Sequence, residues 1–424
     1  MLATTTRPMA PRRSTDTGLS RAFVNDLILK TFYYRNEMTG LEVAKSLHLA
    51  FSVIDEHLED LRREKLIEVK GAEGTGTASY RFALSQVGRD RAREALKVSQ
   101  YVGPAPVSLK EYTDGLLAQA GEREPINADI LREGLAHLVL PPEVIGHVGP
   151  ALNSQRSLFL YGSPGNGKTV LAEAIGRAMG GPLSIPHAIE IDGQVIKIYD
   201  PIFHGDPEPA EPGGSALDSD RPDERWVRVR RPVVFSGGEL TLEMLDLTFN
   251  EREGFYEAPL QMKANGGVFI VDDFGRQRVE PRDLLNRWIV PLEKGVDFLS
   301  LHTGRKFPIP FLAMVIFATN LKPQELLDEA FLRRIRYKVE MRDPEPEDYL
   351  EIFVRECRAR GVEPKREAIA YIYRTFYDGR GIPVRACHPR DLLDKIVEAA
   401  RWNGEPARLT PEAIDAVCRS YFLN

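Results

Sequence analysis

The chain has 424 residues, of which 43% are apolar, so two to three domains with ordinary hydrophobic cores are expected. Its formal net charge of −6 gives no overall attraction to nucleic acid or to an anionic membrane. The three cysteines are odd in number and form no pair at metal-binding spacing, so the sequence suggests neither a disulfide framework nor a zinc site and favours reduced thiols. Without a run of about 18 apolar residues or a hydrophobic signal segment, the chain is expected to be cytoplasmic and not inserted in a membrane.

The first hundred residues divide into a tail and a small domain. Residues 1–18 are rich in threonine, proline, arginine and serine, which predicts a disordered tail. Over 19–98 the apolar spacing predicts three helices, of which the third spans Ser52–Lys65 with Ser52 as its N-cap. Two strands and a closing helix follow, and this order resembles a winged-helix domain whose third helix is the docking element.

The charges of this docking helix bear on what it binds. Five carboxylates stand against three basic side chains in it, whereas a helix that enters the major groove between phosphates should be basic. A protein partner is therefore favoured, and the basic end at Arg62, Arg63 and Lys65 keeps DNA as the alternative.

Residues 99–125 contain several glycine and proline residues, which interrupt helices and strands, and are predicted to be a linker with one short helix.

An apolar strand at 158–161 leads into a glycine-rich loop that ends in Lys-Thr and opens a helix. This order is that of a phosphate-binding loop, in which backbone N–H groups and the positive end of the helix face the anion. The lysine is expected on the β- and γ-phosphates of a nucleotide, and the threonine hydroxyl on Mg²⁺. The residues expected to bind the nucleotide are Gly162, Ser163, Pro164, Gly165, Asn166, Gly167, Lys168, Thr169 and Val170.

Two later apolar stretches also end in polar side chains, the first in Asp272 and Asp273 and the second in Asn320. Buried parallel strands end together at one edge of a sheet, which would bring these groups to the phosphates. We expect Asp272 to hold hydrated Mg²⁺ together with Thr169, and Asp273 to orient the attacking water. Asn320 is expected to contact the γ-phosphate or the same water.

From about residue 126 to the C-terminus, the chain resembles the AAA+ ATPases. The loop described above resembles Walker A, the Asp-Asp strand Walker B and the strand before Asn320 sensor 1. The resemblance implies an α/β fold: a P-loop AAA+ core with a parallel sheet over 126–342 and a C-terminal α-helical lid over 343–424. It also implies that the protein binds and hydrolyses ATP with Mg²⁺.

The same resemblance assigns arginines to the site. Arg334 precedes an apolar strand, where the arginine finger of the family usually lies, and Arg333 is the second choice. Arg390 opens a lid helix after a proline and resembles sensor 2, which reaches the nucleotide from the lid. One position departs from the family, which most often has glutamate where this chain has Asp273. The shorter side chain implies that the water is held slightly differently or that hydrolysis is slow. DnaA-type initiators and IstB-like transposition helpers, which resemble this chain at the same position, also commonly carry Asp-Asp.

Between Walker A and Walker B the chain is longer than one helix and one strand require, which predicts an insertion at about 186–240. A hairpin is expected around Asp192-Gly193, and the acidic segment 204–225 is expected to be an exposed loop. The residues before Walker B, and a candidate hairpin at Phe298–Ile309, resemble the MoxR, magnesium-chelatase and NtrC branch. In that branch Phe255-Tyr256 would contact the pore or a partner, with simple core packing as the alternative.

These features predict a ring-forming ATPase, expected as a hexamer, that remodels a protein client docked on the winged helix. Arg334 would act on the nucleotide of a neighbouring copy. The alternative is a DNA-associated ATPase of the initiator or transposition-helper kind, whose DNA affinity should fall steeply with salt. A third reading, a nucleotide switch that does not hydrolyse ATP, is supported only by Asp273 in place of glutamate.

Overall fold

The computed structural model describes residues 7–74, 76–208, 221–326 and 332–422. Over 19–98 its elements are α1 (Arg21–Arg35), β1 (Glu37–Thr39), α2 (Gly40–Leu47), α3 (Phe51–Arg63), β2 (Ile67–Ala72), a 3-10 turn (Thr77–Ser79), β3 (Tyr80–Leu84) and α4 (Gln86–Val98). The strands form an antiparallel sheet in the order β1-β3-β2. The helices and the two strands of the hairpin occur in the predicted order, and assignment to the winged-helix class stays a prediction.

The segment before α1 differs, in its described part, from the disordered tail that its composition predicts. It forms a 3-10 turn at Ser14–Thr17, and Ser14 Oγ lies 2.8 Å from Nε2 of the buried His57 on α3. Ser52 does not cap α3, because the N-cap is Ala50; its hydroxyl donates to the backbone oxygen of Arg12 at 3.2 Å. The N-terminal segment therefore covers part of α3.

Residues 99–125, expected as a linker, are part of the folded body. The backbone N–H of Ala105 donates to the carbonyl of Leu47 at 2.8 Å, so the segment is tied to α2. Its strand then pairs in parallel with a strand of the insertion, through Val107 opposite Ile189. The elements of this segment are β4 (Val107–Ser108) and α5 (Leu109–Gly121).

The chain then enters the nucleotide-binding region through α6 (Ala128–Gly134), α7 (Pro142–Asn153), β5 (Leu158–Tyr161) and α8 (Lys168–Ala178). The insertion follows with β6 (Pro182–Pro186), β7 (Ala188–Ile191), β8 (Gln194–Lys197), α9 (Pro201–His204) and β9 (Trp226–Arg230). The predicted hairpin at Asp192-Gly193 is confirmed, because β7 and β8 pair antiparallel with Ile191 opposite Gln194. Of the acidic segment 204–225, residues 209–220 lie outside the described residues.

A buried ion cluster joins the N-terminal segment, residues 99–125 and the insertion. Arg225 is 1% exposed and forms ion pairs with Asp223 and Glu111, each at 2.8 Å. Its guanidinium also donates to the backbone oxygens of Thr17 at 3.0 Å and Pro106 at 3.2 Å. Burial raises the pKa of the Asp223 carboxyl, against the opposing effect of Arg225. Removing one member of such a buried cluster leaves uncompensated charge, so these three segments are held as one unit.

After the insertion come β10 (Val233–Ser236), a 3-10 turn (Glu243–Leu245), β11 (Thr248–Asn250), β12 (Phe255–Glu257), α10 (Leu260–Lys263), β13 (Val268–Val271) and α11 (Pro281–Lys294). The antiparallel pair β14 (Val296–Ser300) and β15 (Lys306–Pro310) confirms the candidate hairpin. They are followed by β16 (Met314–Thr319), α12 (Pro323–Leu326) and β17 (Tyr337–Glu340). A mixed sheet in the order β11-β12-β8-β7-β4 carries the insertion.

The central sheet has five strands in the order β10-β13-β16-β5-β17, and every neighbouring pair is parallel. Its three central strands, β13, β16 and β5, are buried and almost entirely apolar because both faces of the sheet are covered there. The C-terminal region is helical, with α13 (Pro346–Ala359), α14 (Arg366–Ile372), a π-helical turn (Tyr373–Asp378), α15 (His388–Asn403) and α16 (Pro411–Tyr421). An α/β chain with a parallel-sheet core and a C-terminal helical region is therefore confirmed.

Within the described residues, no helix is both long and apolar enough to cross a membrane. The three cysteines are free thiols, and all belong to the C-terminal helical region.

Candidate functional site

The carboxyl ends of three neighbouring strands gather the predicted side chains at one edge of the central sheet. Thr319, which ends β16, pairs with Tyr161, which ends β5, and Val271 at the end of β13 lies one strand further along, opposite Phe317. The glycine-rich loop, Asp272 and Asn320 follow directly on these strand ends. A parallel sheet brings its functional loops together in this way.

The glycines of the loop are required by its geometry at two positions. Gly162 has φ of 138°, and a Cβ there would lie 2.3 Å from the carbonyl oxygen of Met341. Gly165 has φ of 85°, and a Cβ there would lie 2.6 Å from Sγ of Cys387. Both distances are too short for any side chain, so the loop is pressed against the segments that follow β17 and precede α15.

Lys168 begins α8 and is held among oxygen atoms. Its Nζ donates to the carbonyls of Gly162 at 3.0 Å and Ser163 at 2.9 Å, and to Oδ1 of Asn320 at 2.7 Å. The residue is 7% exposed. Burial lowers the pKa of Lys168, and the nearby carboxylates Asp272 and Asp273 partly offset this effect. A shielded cation at a helix N-terminus, inside a loop of this shape, fits the phosphates of a nucleotide.

The two acids occupy different places. Thr169 Oγ1 donates to Oδ2 of Asp272 at 2.9 Å, and Asn320 Nδ2 donates to Oδ1 of Asp273 at 3.3 Å. Asp273 is exposed and has φ of 47°, in the left-handed region that costs most residues about 1 kcal/mol or more. Strain of this kind persists where surrounding structure enforces it, which is common at functional sites.

The donor set fits a magnesium ion that is bound jointly with phosphates. Mg²⁺ usually takes one or two protein oxygens and fills its other positions with water and phosphate oxygens. The hydroxyl of Thr169 and the carboxylate of Asp272 are such a pair. Over the described ranges no group of three or more histidine, cysteine, aspartate and glutamate side chains could hold a metal alone.

Asn166 joins the loop to the C-terminal helical region, which the sequence did not predict. Its Nδ2 donates to Oδ1 of Asp343 at 2.7 Å, and its Oδ1 accepts from the backbone N–H of Ala386 at 3.2 Å. Asp343 also forms an ion pair with Arg385. The positive charge of Arg385 contributes, after burial, to the lowered pKa of Lys168, so this arginine lies close enough to act on the loop. No motif marks Arg385 or Asp343, because tertiary contacts alone bring them to the loop.

The other predicted loop residues have smaller roles in the structure. Pro164 is exposed at the tip of the loop, and Val170 is 42% exposed on α8. Arg390 lies in the first turn of α15, whose N-cap Cys387 donates its backbone N–H to the carbonyl of Gly165 at 2.9 Å. The side chain of Arg390 is 56% exposed and forms an ion pair with Asp391 at 2.9 Å, so it is directed to its neighbour and not to the loop.

A cavity of about 470 Å³ opens beside the loop, between α7, the end of β17 and the lid. Its walls combine apolar side chains with the amide of Asn166 and with charged side chains of both signs, which include Lys338, Arg342 and Asp343. Such a mixed cavity, adjacent to a phosphate-binding loop, suits the base and sugar of a nucleotide. The residues that border it include Val139, Leu140, Val144, Tyr161, Met341 and Ile352.

Arg333 and Arg334 lie at the opposite edge of the central sheet. They precede β17, whose first residue Tyr337 pairs with Leu158, the first residue of β5. Arg334 Nε donates to Oε1 of Glu293 at 2.5 Å. The four residues of β5 span roughly 10 Å at about 3.3 Å per residue. The structure thus brings Lys168 together with the two aspartates and Asn320, and it does not bring the two arginines to them.

Phe255 and Tyr256, considered as pore contacts, are packing residues. Tyr256 is 1% exposed, and its hydroxyl is hydrogen-bonded to His302 in the turn of the β14–β15 hairpin. Phe255 packs edge to face on Tyr101, with ring centroids 5.8 Å apart. These contacts tie β12 to residues 99–125 and to the β14–β15 hairpin.

Among protein-family models, the match that was found lies in the C-terminal helical region. Residues 345–420 match a family model described as a domain of unknown function (DUF8689). No curated protein matches the chain. This match covers less than half of the chain and carries no activity with it.

Among solved structures, the chain is similar to NtrX from Brucella abortus in complex with ATP, at 14% identity and a TM-score of 0.40. That match covers 66% of this chain and 56% of the NtrX chain. RuvB from Thermotoga maritima, described as a Holliday junction branch migration motor, is similar at 13% identity and a TM-score of 0.38, covering 71% of this chain and 74% of that one. Likenesses this weak assign neither an activity nor a partner, so the function must be argued from the site.

Proposed function

We propose that this protein is an ATPase of the AAA+ kind that binds ATP with Mg²⁺, hydrolyses it and works as a ring of identical copies. The observation that carries the proposal is the convergence of Lys168, Thr169, Asp272, Asp273 and Asn320 at one sheet edge, joined by hydrogen bonds. These side chains come from the glycine-rich loop and from two separate strand ends, and their chemistry is that of phosphoryl transfer.

In this proposal each side chain has one task. Lys168 and the N–H groups of the loop bind and orient the phosphates, while Thr169 and Asp272 hold Mg²⁺, which neutralises phosphate charge. Asp273 accepts a proton from, or orients, the attacking water, and Asn320 holds Asp273 in place through its amide. Arg390 and Arg385 are assigned to the lid side of the nucleotide.

The separation of Arg334 from the loop supports action between copies. Arg334 lies at the amino edge of the sheet and Lys168 at the carboxyl edge, and in this proposal a second copy supplies the arginine. A contact between two different faces of identical chains closes into a ring when its rotation allows, and a hexamer is the expected ring. An arginine supplied in this way contributes about 10³ to 10⁵ in rate.

The N-terminal region is assigned to docking a protein client. On α3, Glu56 and Asp60 are paired with Arg21, at 3.8 Å and 2.9 Å, and the N-terminal segment packs along the helix at Ser52 and His57. A recognition helix that enters the major groove of DNA needs an uncovered, basic face toward the groove. These contacts favour a protein partner. The ion cluster of Arg225 would then transmit force from the insertion to the docked client.

The DNA-associated alternative makes a separate prediction. It requires affinity for duplex DNA that falls steeply as salt is raised, because released counterions drive such binding. Fluorescence anisotropy with a labelled duplex at several salt concentrations measures this directly. We expect weak binding at low salt only, and tight binding with a steep salt slope would replace the protein-client proposal.

The ATPase proposal is tested by binding and turnover of Mg-ATP. The wild-type chain should bind a fluorescent ATP analogue and release phosphate, and Lys168→Ala should lose both activities. Lys110→Ala is the matched control, because Lys110 is exposed on α5, where it forms an ion pair with Asp114 at 2.6 Å. Equal binding by wild type and Lys168→Ala would contradict the proposal.

A further inference from the structure

A cavity rich in arginine lies at the amino edge of the central sheet, away from the glycine-rich loop. Its volume is about 420 Å³. Among the residues that the structure describes, four guanidinium groups and one carboxylate border it, and two of the arginines, Arg333 and Arg336, are exposed. The described residues that line the cavity are Arg156, Leu292, Glu293, Arg333, Arg334 and Arg336.

The parallel sheet explains why these arginines meet. Arg156 precedes β5 and Arg336 directly precedes β17, and the two strands are hydrogen-bonded neighbours that start in register, with Tyr337 opposite Leu158. Glu293 reaches the same place from the last turn of α11, next to the start of the β14–β15 hairpin. The cavity therefore joins the arginines to the helix that follows the Walker B strand.

We propose that this cavity receives the phosphate groups of a nucleotide held by a second copy of the chain, with Arg156 as a contact in addition to Arg334. Glu293 is a positioning residue that holds Arg334 until those phosphates arrive. This inference rests on the proposed ATPase function and deepens it, because the sequence motifs single out neither Arg156 nor Glu293.

The charge of the cavity selects the class of ligand. Guanidinium groups bind phosphate through paired, charge-assisted hydrogen bonds, and several guanidinium groups around one space favour a ligand with more than one negative charge. The phosphate loop of the same copy is at the other edge of the sheet, so the polyphosphate must come from another molecule. A head-to-tail contact between copies places one edge against the other.

The ion pair of Glu293 with Arg334 has a further consequence. A carboxylate that accepts from Arg334 Nε at 2.5 Å competes with the incoming phosphates for the same donor. The pair is partly exposed, with Arg334 28% and Glu293 44% accessible, so the competition is modest. When two copies assemble, the phosphates of one must therefore displace the Glu293 carboxylate from Arg334 of the other.

Mixing of variant subunits tests the role of Arg156. Arg156→Ala subunits keep an intact loop, and Lys168→Ala subunits keep an intact arginine cavity. Each variant alone should show little turnover, and an equal mixture should regain activity, since about one interface in four then pairs an intact loop with an intact cavity. Arg334→Ala mixed with Lys168→Ala is the positive control, and Arg419→Ala, an exposed lid arginine paired with Asp415, is the control for charge removal.

The outcomes separate this inference from the proposed function. Recovery in both mixtures, with ATP binding by Arg156→Ala unchanged, supports the assignment of Arg156. Recovery with Arg334→Ala but none with Arg156→Ala, or full activity of Arg156→Ala alone, overturns it while the ATPase proposal stands. Absence of turnover in the wild-type chain at every concentration and in every mixture would overturn both.

Glu293→Gln tests the positioning role by a change that a structural defect would not produce. Removing the negative charge weakens the hold on Arg334, so half-maximal turnover should occur at a protein concentration lower by up to about fivefold, as for ion pairs of this exposure. A variant that had merely lost stability would need a higher concentration. An unchanged or raised concentration for half-maximal turnover would overturn the role of Glu293.

Discussion

The two edges of the central sheet are built by the same five strands and carry opposite chemistry. At the carboxyl edge, Lys168 is buried and surrounded by oxygen atoms, and Asp272 and Asp273 lie beside it. At the amino edge, four arginines share a cavity with Glu293 as its carboxylate. The carboxyl edge carries the phosphate-binding loop, while the amino edge carries Arg334, which the proposed function assigns to the nucleotide of another copy. In the proposed function, the catalytic unit is therefore an interface between two copies.

The largest effect is expected at the amino edge. Arg334→Ala should lower ATP turnover by about 10³ or more, because the arginine stabilises charge that develops during phosphoryl transfer. ATP affinity should stay within about twofold, since most of the binding energy comes from the loop of the other copy. Titration with a fluorescent ATP analogue and a phosphate-release assay measure the two quantities. Loss of affinity equal to the loss of turnover would place Arg334 in its own copy's site.

The next largest effect is expected at the carboxyl edge, from the loss of the Asp273 carboxylate. Asp273→Asn should reduce turnover by about 10² to 10⁴, the usual contribution of a general base. Asparagine tolerates the left-handed backbone at φ of 47° and can still accept from Asn320 Nδ2, so stability should change by less than about 0.5 kcal/mol. Thermal unfolding checks stability beside the turnover assay. Turnover close to that of the wild type would mean that another group orients the attacking water.

Lys168→Ala is expected to weaken ATP binding by about 10²-fold, the value of charge-assisted hydrogen bonds to phosphate. The variant should remain folded, because Lys168 donates to its own loop and to Asn320 at the edge of the sheet. Isothermal titration with Mg-ATP measures the affinity. A loss smaller than threefold would indicate that the loop does not bind the phosphates.

The smallest effects distinguish the two lid arginines. Arg385→Ala should weaken ATP binding by about tenfold, because Arg385 pairs with Asp343, which also accepts from Asn166 of the loop. Arg390→Ala should cost less affinity, since the side chain is 56% exposed and pairs with its neighbour Asp391. The same titration compares the two variants. A larger loss for Arg390→Ala would show that α15 turns this arginine onto the nucleotide when it binds.

The sequence predicted the carboxyl edge well for a physical reason. Buried parallel strands are continuous apolar runs, and their ends are marked by the glycines of the loop, by Asp272-Asp273 and by Asn320. Residues that follow such strands must meet at one edge, so their proximity follows from the pattern alone. A helical region over 343–424 was expected from the family resemblance, and the structure has helices there from Pro346 to Tyr421.

Other features depend on contacts that no local pattern encodes. Arg385 reaches the loop through Asp343, and neither residue belongs to a motif. The polar segment at Ser14–Thr17 is ordered by the buried His57, although its composition is that of a tail. Tyr256 was considered for a pore from its position before Walker B, and its bond to His302 places it in the core. In each case a partner far along the chain decided the outcome.

The measurement that tests the shared interface most directly is ATP turnover per subunit over a wide range of protein concentration, with the oligomeric state followed by sedimentation. The account predicts that turnover is negligible where the chain is monomeric, rises as copies associate and then saturates, while ATP affinity stays nearly constant. A turnover rate per subunit that is the same for monomer and assembly would show that one copy holds a complete site, and would contradict it.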